Sequence, residues 1–321
     1  MFHVATRPGQ QHHYEMYQHQ HPAAPLPNLQ LPRTLNRPAF TEVQREAILA
    51  VEPNLGQVPF EYIRKGLHAR GEEYVLIRLH VNSEQESDFL PLFSYFFFGL
   101  RRLMASVTAA VVPPQLPRSR VPSSFDIAPT RGAAPVTHIL AVQTSPSSKH
   151  PTTDSVFLVP AHHIVLAANC AHIPRIPVSR PHVRSNGMLK VPVMPLVVPH
   201  AEAFAPLHAF LVSHRLDRLM SALLPVPPSM LSHRGSASRG GGSSSAGGPF
   251  AHISIPQVAT FLATQASGDK MSALMALTRT VSAIWRNACA LGVFDRELWA
   301  ALDFSWEVIL GAMNMVATRA V

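Results

Sequence analysis

The stretch between residues 154 and 225 constrains the fold more than any other part of the chain. Short apolar runs typical of β-strands alternate there with segments whose apolar residues recur at helical spacing. The successive segments are a strand at 156–159, a helix at 162–170, a strand at 191–198 and a helix that begins at Phe204. This order predicts the core of an α+β protein, because each helix can cover an apolar face of the sheet that the strands form.

Proline limits how much of the remaining chain can join that core. The 321 residues include 30 prolines and 16 glycines, and proline-dense segments cannot sustain helices or sheet ladders. Hydrophobic residues still make up 47% of the chain, which is enough for a sizeable core. The predicted segments are a disordered His/Gln/Pro-rich tail at 1–39, a helical N-terminal segment at 40–112, a Pro-rich linker at 113–135, the core at 136–225, a Gly/Ser-rich linker at 226–249, and C-terminal helices packing on the core at 250–321.

Helices are predicted on both sides of the core. On the N-terminal side, Phe60–Ala69 has the apolar spacing of a helix, and Gly71 ends it. On the C-terminal side, Asp269 is a candidate N-cap and Gly292 a candidate C-cap of one long helix. Asp295 can cap the next helix, so we expect these last two helices to pack as an antiparallel hairpin.

Membrane insertion and secretion are not expected from this sequence. The most apolar run, residues 89–100, is too short to span a bilayer, and it is either core or a docking surface. The first residues lack the apolar region of a secretory signal. Two cysteines, Cys170 and Cys289, cannot form a disulfide framework, which indicates a reducing, intracellular compartment.

Positive charge is concentrated in the middle of the chain. Residues 101–250 carry 14 Lys and Arg against 4 Asp and Glu, a balance of +10, whereas the remaining residues carry 13 against 15. Such a basic region can bind nucleic acid or an acidic partner. The alternative is that scattered arginines keep proline-rich loops soluble, and both interpretations stay open.

Enzyme chemistry has no motif to support it. The sequence contains no GxSxG, no HExxH, no paired CxxC and no glycine-rich phosphate loop between a strand and a helix. His162, His163, Cys170 and His172 include zinc-compatible ligand types, but the strand-to-helix pattern explains them without a metal. We expect Cys170 to be a buried, inert thiol. The prediction is a non-enzymatic protein without catalytic, cofactor-binding or metal-binding residues.

The core resembles the BTB/POZ fold. In that family a strand is followed by a His and by an apolar helix with a Leu-Ala-Ala core, and a later strand leads into a Phe and a second apolar helix. The residues that carry the resemblance and define the fold here are Val156, Val159, His162, Leu166, Ala167, Cys170, Phe204, Leu207 and Phe210. The expected fold class is therefore α+β: a small BTB/POZ-like sheet covered by helices, with a C-terminal helical hairpin and long disordered Pro/Gly/Ser-rich segments.

A second resemblance covers most of residues 40–321. The segments at 59–64, 191–200 and 204–225 resemble the fungal clampless developmental family. That resemblance implies a regulator of clamp-cell formation and dikaryon growth after mating. It also implies protein partners, among them mating-type homeodomain transcription factors or cell-cycle regulators, no cofactor, and a location in the nucleus and/or cytoplasm. A basic nucleic-acid-binding regulator is the alternative function.

Partner contacts are predicted on the exposed face of one helix at 204–220. The candidate residues are His208, His214, Arg215 and Arg218. Their imidazole and guanidinium groups can donate hydrogen bonds to a partner. The alternative is an ordinary solvated helix face, and the sequence leaves the oligomeric state open.

Overall fold

Six strands form a mixed sheet in the computed structural model, which describes residues 31–71, 114–128, 134–146, 154–179, 182–185, 187–231, 249–265 and 269–319. The strands are β1 (Gln115–Pro117), β2 (Ser124–Ile127), β3 (His138–Thr144), β4 (Ser155–Ala161), β5 (His182–Val183) and β6 (Leu189–Val198). Their order across the sheet is β1-β4-β3-β6-β2, and β5 also pairs with β6. The β3–β6 pair is parallel and the other pairs are antiparallel.

Nine helices surround the sheet within the described residues. They are α1 (Arg45–Val51), α2 (Phe60–Ala69), α3 (His163–Asn169), α4 (Phe204–Ser213), α5 (Leu216–Leu223), α6 (Pro228–Leu231), α7 (Ile255–Gln265), α8 (Lys270–Leu291) and α9 (Arg296–Arg319). Short 3₁₀ turns lie at Pro53–Gln57, Arg118–Arg120 and Ala201–Ala203. The predicted mixed α+β class is confirmed.

The predicted order of strand, helix, strand and helix is confirmed by β4, α3, β6 and α4. After β4, helix α3 and the long loop behind it carry the chain to β6, which runs parallel to β3 in the register Ile139↔Val193 to Thr144↔Val198. The central residues of β3, from Ile139 to Val142, are all buried, as expected for a strand that is covered on both faces. Each of the nine fold-defining residues named above is also buried.

The segment at 113–135, predicted as a linker, contributes two strands to the sheet. Strand β1 pairs with β4, with Leu116 opposite Val156, and β2 pairs with β6, with Phe125 opposite Val191. The Leu116 and Phe125 side chains pack against the apolar cluster on one face of the sheet. The linker prediction was wrong here because strands of three and four residues carry too little alternation to be recognised, and proline is tolerated at such strand ends.

Several predicted segments lie outside the described residues. These are residues 1–30 of the predicted N-terminal tail, the apolar run at 89–100, and residues 232–248 of the predicted Gly/Ser-rich linker. Of the predicted helical segment at 40–112, the structure describes residues up to Gly71, which include α1 and α2. These two helices pack on α3 through a cluster that includes Ile48, Ile63 and Ala168.

The C-terminal helices are bounded by the predicted caps. The Asp269 carboxylate accepts a hydrogen bond from the backbone N–H of Ser272 at 3.2 Å, and Gly292 adopts the left-handed conformation with φ 63° at the end of α8. The Asp295 carboxylate accepts from the N–H groups of Glu297 and Leu298, both at 2.9 Å, at the start of α9. Helix α9 packs against α7, α8 and α5, so the predicted packing of the last two helices against each other is confirmed.

Helix α9 is long and apolar enough to cross a membrane by length and composition alone. Half of its most apolar stretch is buried inside the protein, and Leu298, Leu302 and Ile309 are fully or almost fully buried. The hydropathy of α9 is therefore explained by its position as a core helix of the C-terminal layer.

A buried amide ties α8 to the end of β6. The Asn287 side chain is fully buried; its Oδ1 accepts from the backbone N–H of His200 at 2.9 Å, and its Nδ2 donates to the His200 carbonyl at 2.7 Å. One side chain thus satisfies both backbone groups of a residue that follows the strand. An apolar side chain at this position would leave those groups unpaired.

The Asn287 contact predicts a stability effect. Asn287→Ala removes both hydrogen bonds and should lower the free energy of unfolding by about 2–3 kcal/mol, because two partly buried backbone groups lose their partner. Urea denaturation of the full chain measures this change. Asn314→Ala, at an exposed position of α9, is the matched control and should change stability by less than about 0.5 kcal/mol. Equal effects of the two substitutions would contradict the structural role of Asn287.

Candidate partner-binding surface and buried polar junction

The helix predicted at 204–220 is two helices, α4 and α5, separated by a sharp turn. His214 ends α4 in the left-handed conformation with φ 48°, and its N–H donates to the Phe210 carbonyl at 2.7 Å. The backbone N–H of Arg215 then donates to the Ser213 hydroxyl at 3.3 Å. The turn redirects the chain so that the apolar stripe of α5 packs against α9. A single straight helix was the wrong prediction because apolar spacing is similar on both sides of the turn.

His208, predicted to be exposed, is a core residue. Its side chain is buried and stacks on the Phe204 ring, with 5.6 Å between ring centroids and an interplanar angle of 23°. Burial, assisted by the nearby His162, lowers the pKa of His208 to about 3. The residue lies one turn after Phe204 on a helix that is buried nearly all round, and this burial removes it from the candidate partner surface.

His214, also predicted to be exposed, belongs to a largely buried cluster that joins three parts of the chain. We name this cluster the polar junction; its members are Arg64 and His68 of α2, His214 of the α4–α5 turn, and Asp295 at the start of α9. The Asp295 Oδ2 lies 3.5 Å from Arg64 Nη2 and 3.7 Å from His214 Nδ1. The His68 and His214 rings are in contact, with their centroids 3.1 Å apart and their planes tilted by 33°.

The histidines of the polar junction are held neutral. Burial, the neighbouring His68 and Arg64 lower the pKa of His214 to about 4, against the opposing effect of Asp295. Burial and Arg64 likewise lower the pKa of His68, again against Asp295. At neutral pH one carboxylate therefore faces one guanidinium and two uncharged imidazoles. This arrangement leaves Arg64 and Asp295 as the charged pair of the junction.

Close backbone packing accompanies the polar junction. Helix α2 ends against the last turn of α4, where a Cβ built on Gly71 would lie 2.6 Å from the Val212 carbonyl oxygen. Only glycine fits this approach without a shift of the backbone. The junction is therefore a structural joint between the N-terminal helices and the C-terminal layer, and its residues are not available to a partner in this arrangement.

Two of the four predicted partner-binding residues reach the surface. The Arg215 guanidinium donates two hydrogen bonds to the Asp217 carboxylate, from Nε and Nη2, both at 2.9 Å. The hydrogen bond from Arg215 lowers the pKa of Asp217. Arg218 lies beside them, exposed on α5. We call Arg215, Asp217 and Arg218 the α5 surface; it combines two cations with one carboxylate.

A second exposed surface lies on β5 and β6, which the sequence did not single out. Val183 and Val197 are 58% and 55% exposed. Alternate residues of β6 point to one face of the sheet. On that face Leu189 and Val191 are buried, whereas Pro195 and Val197, which lie beyond the end of the pairing with β2 at Pro192, are exposed. The sequence signals this surface only weakly, because apolar and polar residues do not alternate regularly along β6.

Cys170, His162 and His163 are buried in the core, whereas Cys289 is half-buried and His172 is exposed. Burial raises the pKa of Cys170 to about 12 and also raises that of Cys289. Both thiols are therefore protonated at neutral pH and are poor nucleophiles. Burial and the nearby His138 lower the pKa of His163 to about 4. Across the described ranges, no three His, Cys, Asp or Glu side chains are placed to hold a metal ion.

Two family models match the chain. Residues 38–199 match the model described as the Clampless protein 1 N-terminal domain, and residues 217–321 match the Clampless protein 1 C-terminal domain. No curated protein and no solved structure matches the chain. The boundary between the two matches falls at α4 and its turn, so the polar junction joins residues of both matched regions.

Buried neutral histidines predict acid sensitivity. Their folded-state pKa values lie below the ordinary 6.5. As the pH falls below about 6.5, the unfolded chain therefore binds more protons than the folded chain does. The free energy of unfolding should therefore be largest near neutral pH and should decrease as the pH falls from about 6.5 to about 4. Urea denaturation across this range measures the decrease.

Paired substitutions test the source of this pH dependence. His208→Gln keeps an amide of similar size that does not titrate, so stability should fall less steeply with decreasing pH than in the wild type. His252→Gln, at an exposed position, is the matched control and should keep the wild-type profile. A His208→Gln profile parallel to that of the wild type would show that His208 is not a source of the acid sensitivity.

Proposed function

The chain belongs to the clampless family of fungal developmental proteins that act in clamp formation, and from this premise we propose that it works as a non-enzymatic protein-interaction regulator. The observation that carries the proposal is that both family domains are present and together span most of the chain. Two contacts support a single rigid platform for partner binding. Arg64 of the first domain lies 3.5 Å from Asp295 of the second, and Asn287 of the second holds His200, which directly follows the first.

The proposed partners are proteins of the mating pathway. They include mating-type homeodomain transcription factors or cell-cycle regulators, and their capture would promote clamp-cell formation and dikaryon growth in the nucleus and/or cytoplasm. The α5 surface supports this role because Arg215 and Arg218 are accessible on a helix whose opposite side is fixed in the core. A rigid helix presents its charges to a partner with little loss of conformational entropy on binding.

The BTB/POZ-like character of the core is part of the proposal. The supporting features are the β3–β4 hairpin, the apolar helix α3 directly after it, and β6, which leads into Phe204 and the apolar helix α4. This is the order of elements that the resemblance implies. In the proposed role the sheet and its helices serve as a scaffold, and partner contacts lie on its rim.

Basic side chains near β2, β5 and β6 favour a second candidate function, nucleic-acid binding. Exposed cations of this region are Arg118, Arg120, Arg175, Arg184 and Lys190. Arg184 is paired with Asp126 at 3.1 Å, which offsets part of the positive charge. Cations on a sheet surface can follow a phosphate backbone without a recognition helix.

Capture of homeodomain partners tests the first proposal. Tagged full-length chain is mixed with purified mating-type homeodomain proteins, and bound protein is quantified. Arg218→Glu should weaken capture by roughly fivefold, which corresponds to about 1 kcal/mol for an exposed charge contact. Lys270→Glu, an equal charge reversal at the exposed start of α8, is the control and should bind as the wild type does. Absence of capture by the wild type would refute the proposed partner class.

A salt titration tests the nucleic-acid alternative. If Arg118, Arg120 and Lys190 contact phosphates, binding to duplex or single-stranded DNA should weaken steeply between roughly 50 and 200 mM salt. The triple substitution of these residues by Ala should lower the slope of log affinity against log salt concentration by about three, because each lost phosphate contact lowers it by about one. Binding that is absent at low salt, or that does not respond to salt, would remove this alternative.

A further inference from the structure

An extended N-terminal segment lies across the α8–α9 hairpin. We call residues 34–40 the strap; it has no helix or strand, and Leu35 is its buried side chain. The Asn36 carbonyl accepts a hydrogen bond from Trp285 Nε1 at 2.9 Å. At the far end, the Phe40 ring meets the Phe294 ring edge-on, with centroids 5.0 Å apart. The strap is thus held at several points along its length.

An arginine at the centre of the strap makes two contacts with α9. The Arg37 guanidinium forms an ion pair with Asp303, and its Cζ lies 5.8 Å from the centroid of the Trp299 ring. An indole face and a carboxylate together recognise the planar, cationic guanidinium group. We call the surface formed by Trp285, Phe294, Trp299 and Asp303 the hairpin groove.

The hairpin groove recognises features that any extended peptide can present. The strap offers it the Asn36 carbonyl, the Arg37 guanidinium and the Phe40 ring, beside the buried side chain of Leu35. None of these contacts requires a helix or a strand in the ligand. Glu307, exposed one turn after Asp303 on α9, adds negative charge that favours a basic ligand.

The strap is held loosely compared with the elements around it. Phe40 is 74% exposed, and the Arg37–Asp303 pair lies at the surface with side chains 52% and 39% exposed, where ion pairs contribute little. Helix α1, which follows, is fixed independently, because Arg45 donates to the carbonyl oxygens of Gly56 at 2.6 Å and Val58 at 3.0 Å. The strap can therefore leave the groove while α1 stays in place.

From these contacts we propose that the hairpin groove is a docking site for an extended, arginine-containing segment of a partner protein, and that the strap occupies the groove in cis until the partner displaces it. The strap is the template for the partner segment: an apolar residue, an arginine two positions later and an aromatic residue three positions after that. This inference rests on the proposed function in that it identifies a route for partner binding. The groove is distinct from the α5 surface.

The strap and an external peptide compete for the hairpin groove. A groove filled by its own strap about 90% of the time binds an external peptide about tenfold more weakly than an open groove does. Release of the strap exposes the apolar and acidic groove and raises its apparent affinity without any change in the contacts. The strap therefore sets the partner concentration that is needed to fill the groove.

A labelled peptide with the sequence of residues 33–42 tests the proposal by fluorescence anisotropy with the full chain. Leu35→Asp in the chain removes the buried anchor and should raise the affinity for the peptide about tenfold over the wild type. Arg37→Glu opens the groove by charge repulsion and serves as the second variant, so the test does not depend on one substitution. Melting temperatures near that of the wild type show that both variants are folded.

A charge swap establishes that the peptide occupies the groove itself. Adding Asp303→Arg to the Leu35→Asp chain should weaken binding by roughly fivefold. A peptide with Glu at the position of Arg37 should recover that loss on the Asp303→Arg chain and should bind poorly to the chain that keeps Asp303. A merely structural effect of Asp303→Arg would not be reversed by a change in the peptide.

Three outcomes would overturn the proposal. One is equal peptide affinity of the wild type, Leu35→Asp and Arg37→Glu, and another is a charge-swapped peptide that restores no binding. The third is a wild-type dimer that becomes a monomer on Leu35→Asp, which would show that a second copy's strap fills the groove. The assay contains no cellular partner, and Arg218 lies outside the groove. Failure here is therefore distinguishable from failure of the homeodomain capture experiment.

Discussion

The arrangement of the helices depends on the contacts that the Asp295 carboxylate makes. One of its oxygens caps the first turn of α9, and the other faces Arg64 of α2 and His214 of the α4–α5 turn. A carboxylate is a favourable partner both for a helix N-terminus and for a guanidinium. The same charge therefore starts the last helix and fixes the position of the N-terminal helices against it.

Three further contacts tie the family domains to the segments that flank them. The Asn287 side chain is hydrogen-bonded to both the backbone N–H and the carbonyl of His200, just after β6. Gly71 allows α2 to approach α4 closely, and the strap contacts α8 and α9. The first two are buried and specific, whereas the strap is mostly exposed. This contrast supports a platform that stays rigid while its N-terminal segment exchanges with a partner, because local stability follows local burial.

Much of the fold follows from local patterns in the sequence. The bounds of α2 and the caps Asp269, Gly292 and Asp295 agree with the structure because capping depends on residues within one turn. The strand-helix order of the core agrees because short apolar runs alternate there with segments of clear helical spacing. The candidate site was harder to predict: Arg215 and Arg218 are accessible, but His208 is buried and only 11% of the His214 side chain is exposed. Their environment depends on His162, Asp295 and α2, which are distant in sequence.

By itself, the sequence determined the class of fold, the order of the core elements, the ends of the C-terminal helices and the resemblance to the clampless family, because each depends on residue type and short-range spacing. Tertiary structure alone decided that β1 and β2 join the sheet, that His214 turns the chain, and that Arg37 meets Asp303. Those outcomes depend on contacts between segments far apart along the chain, whose free energy appears only when the segments are packed together.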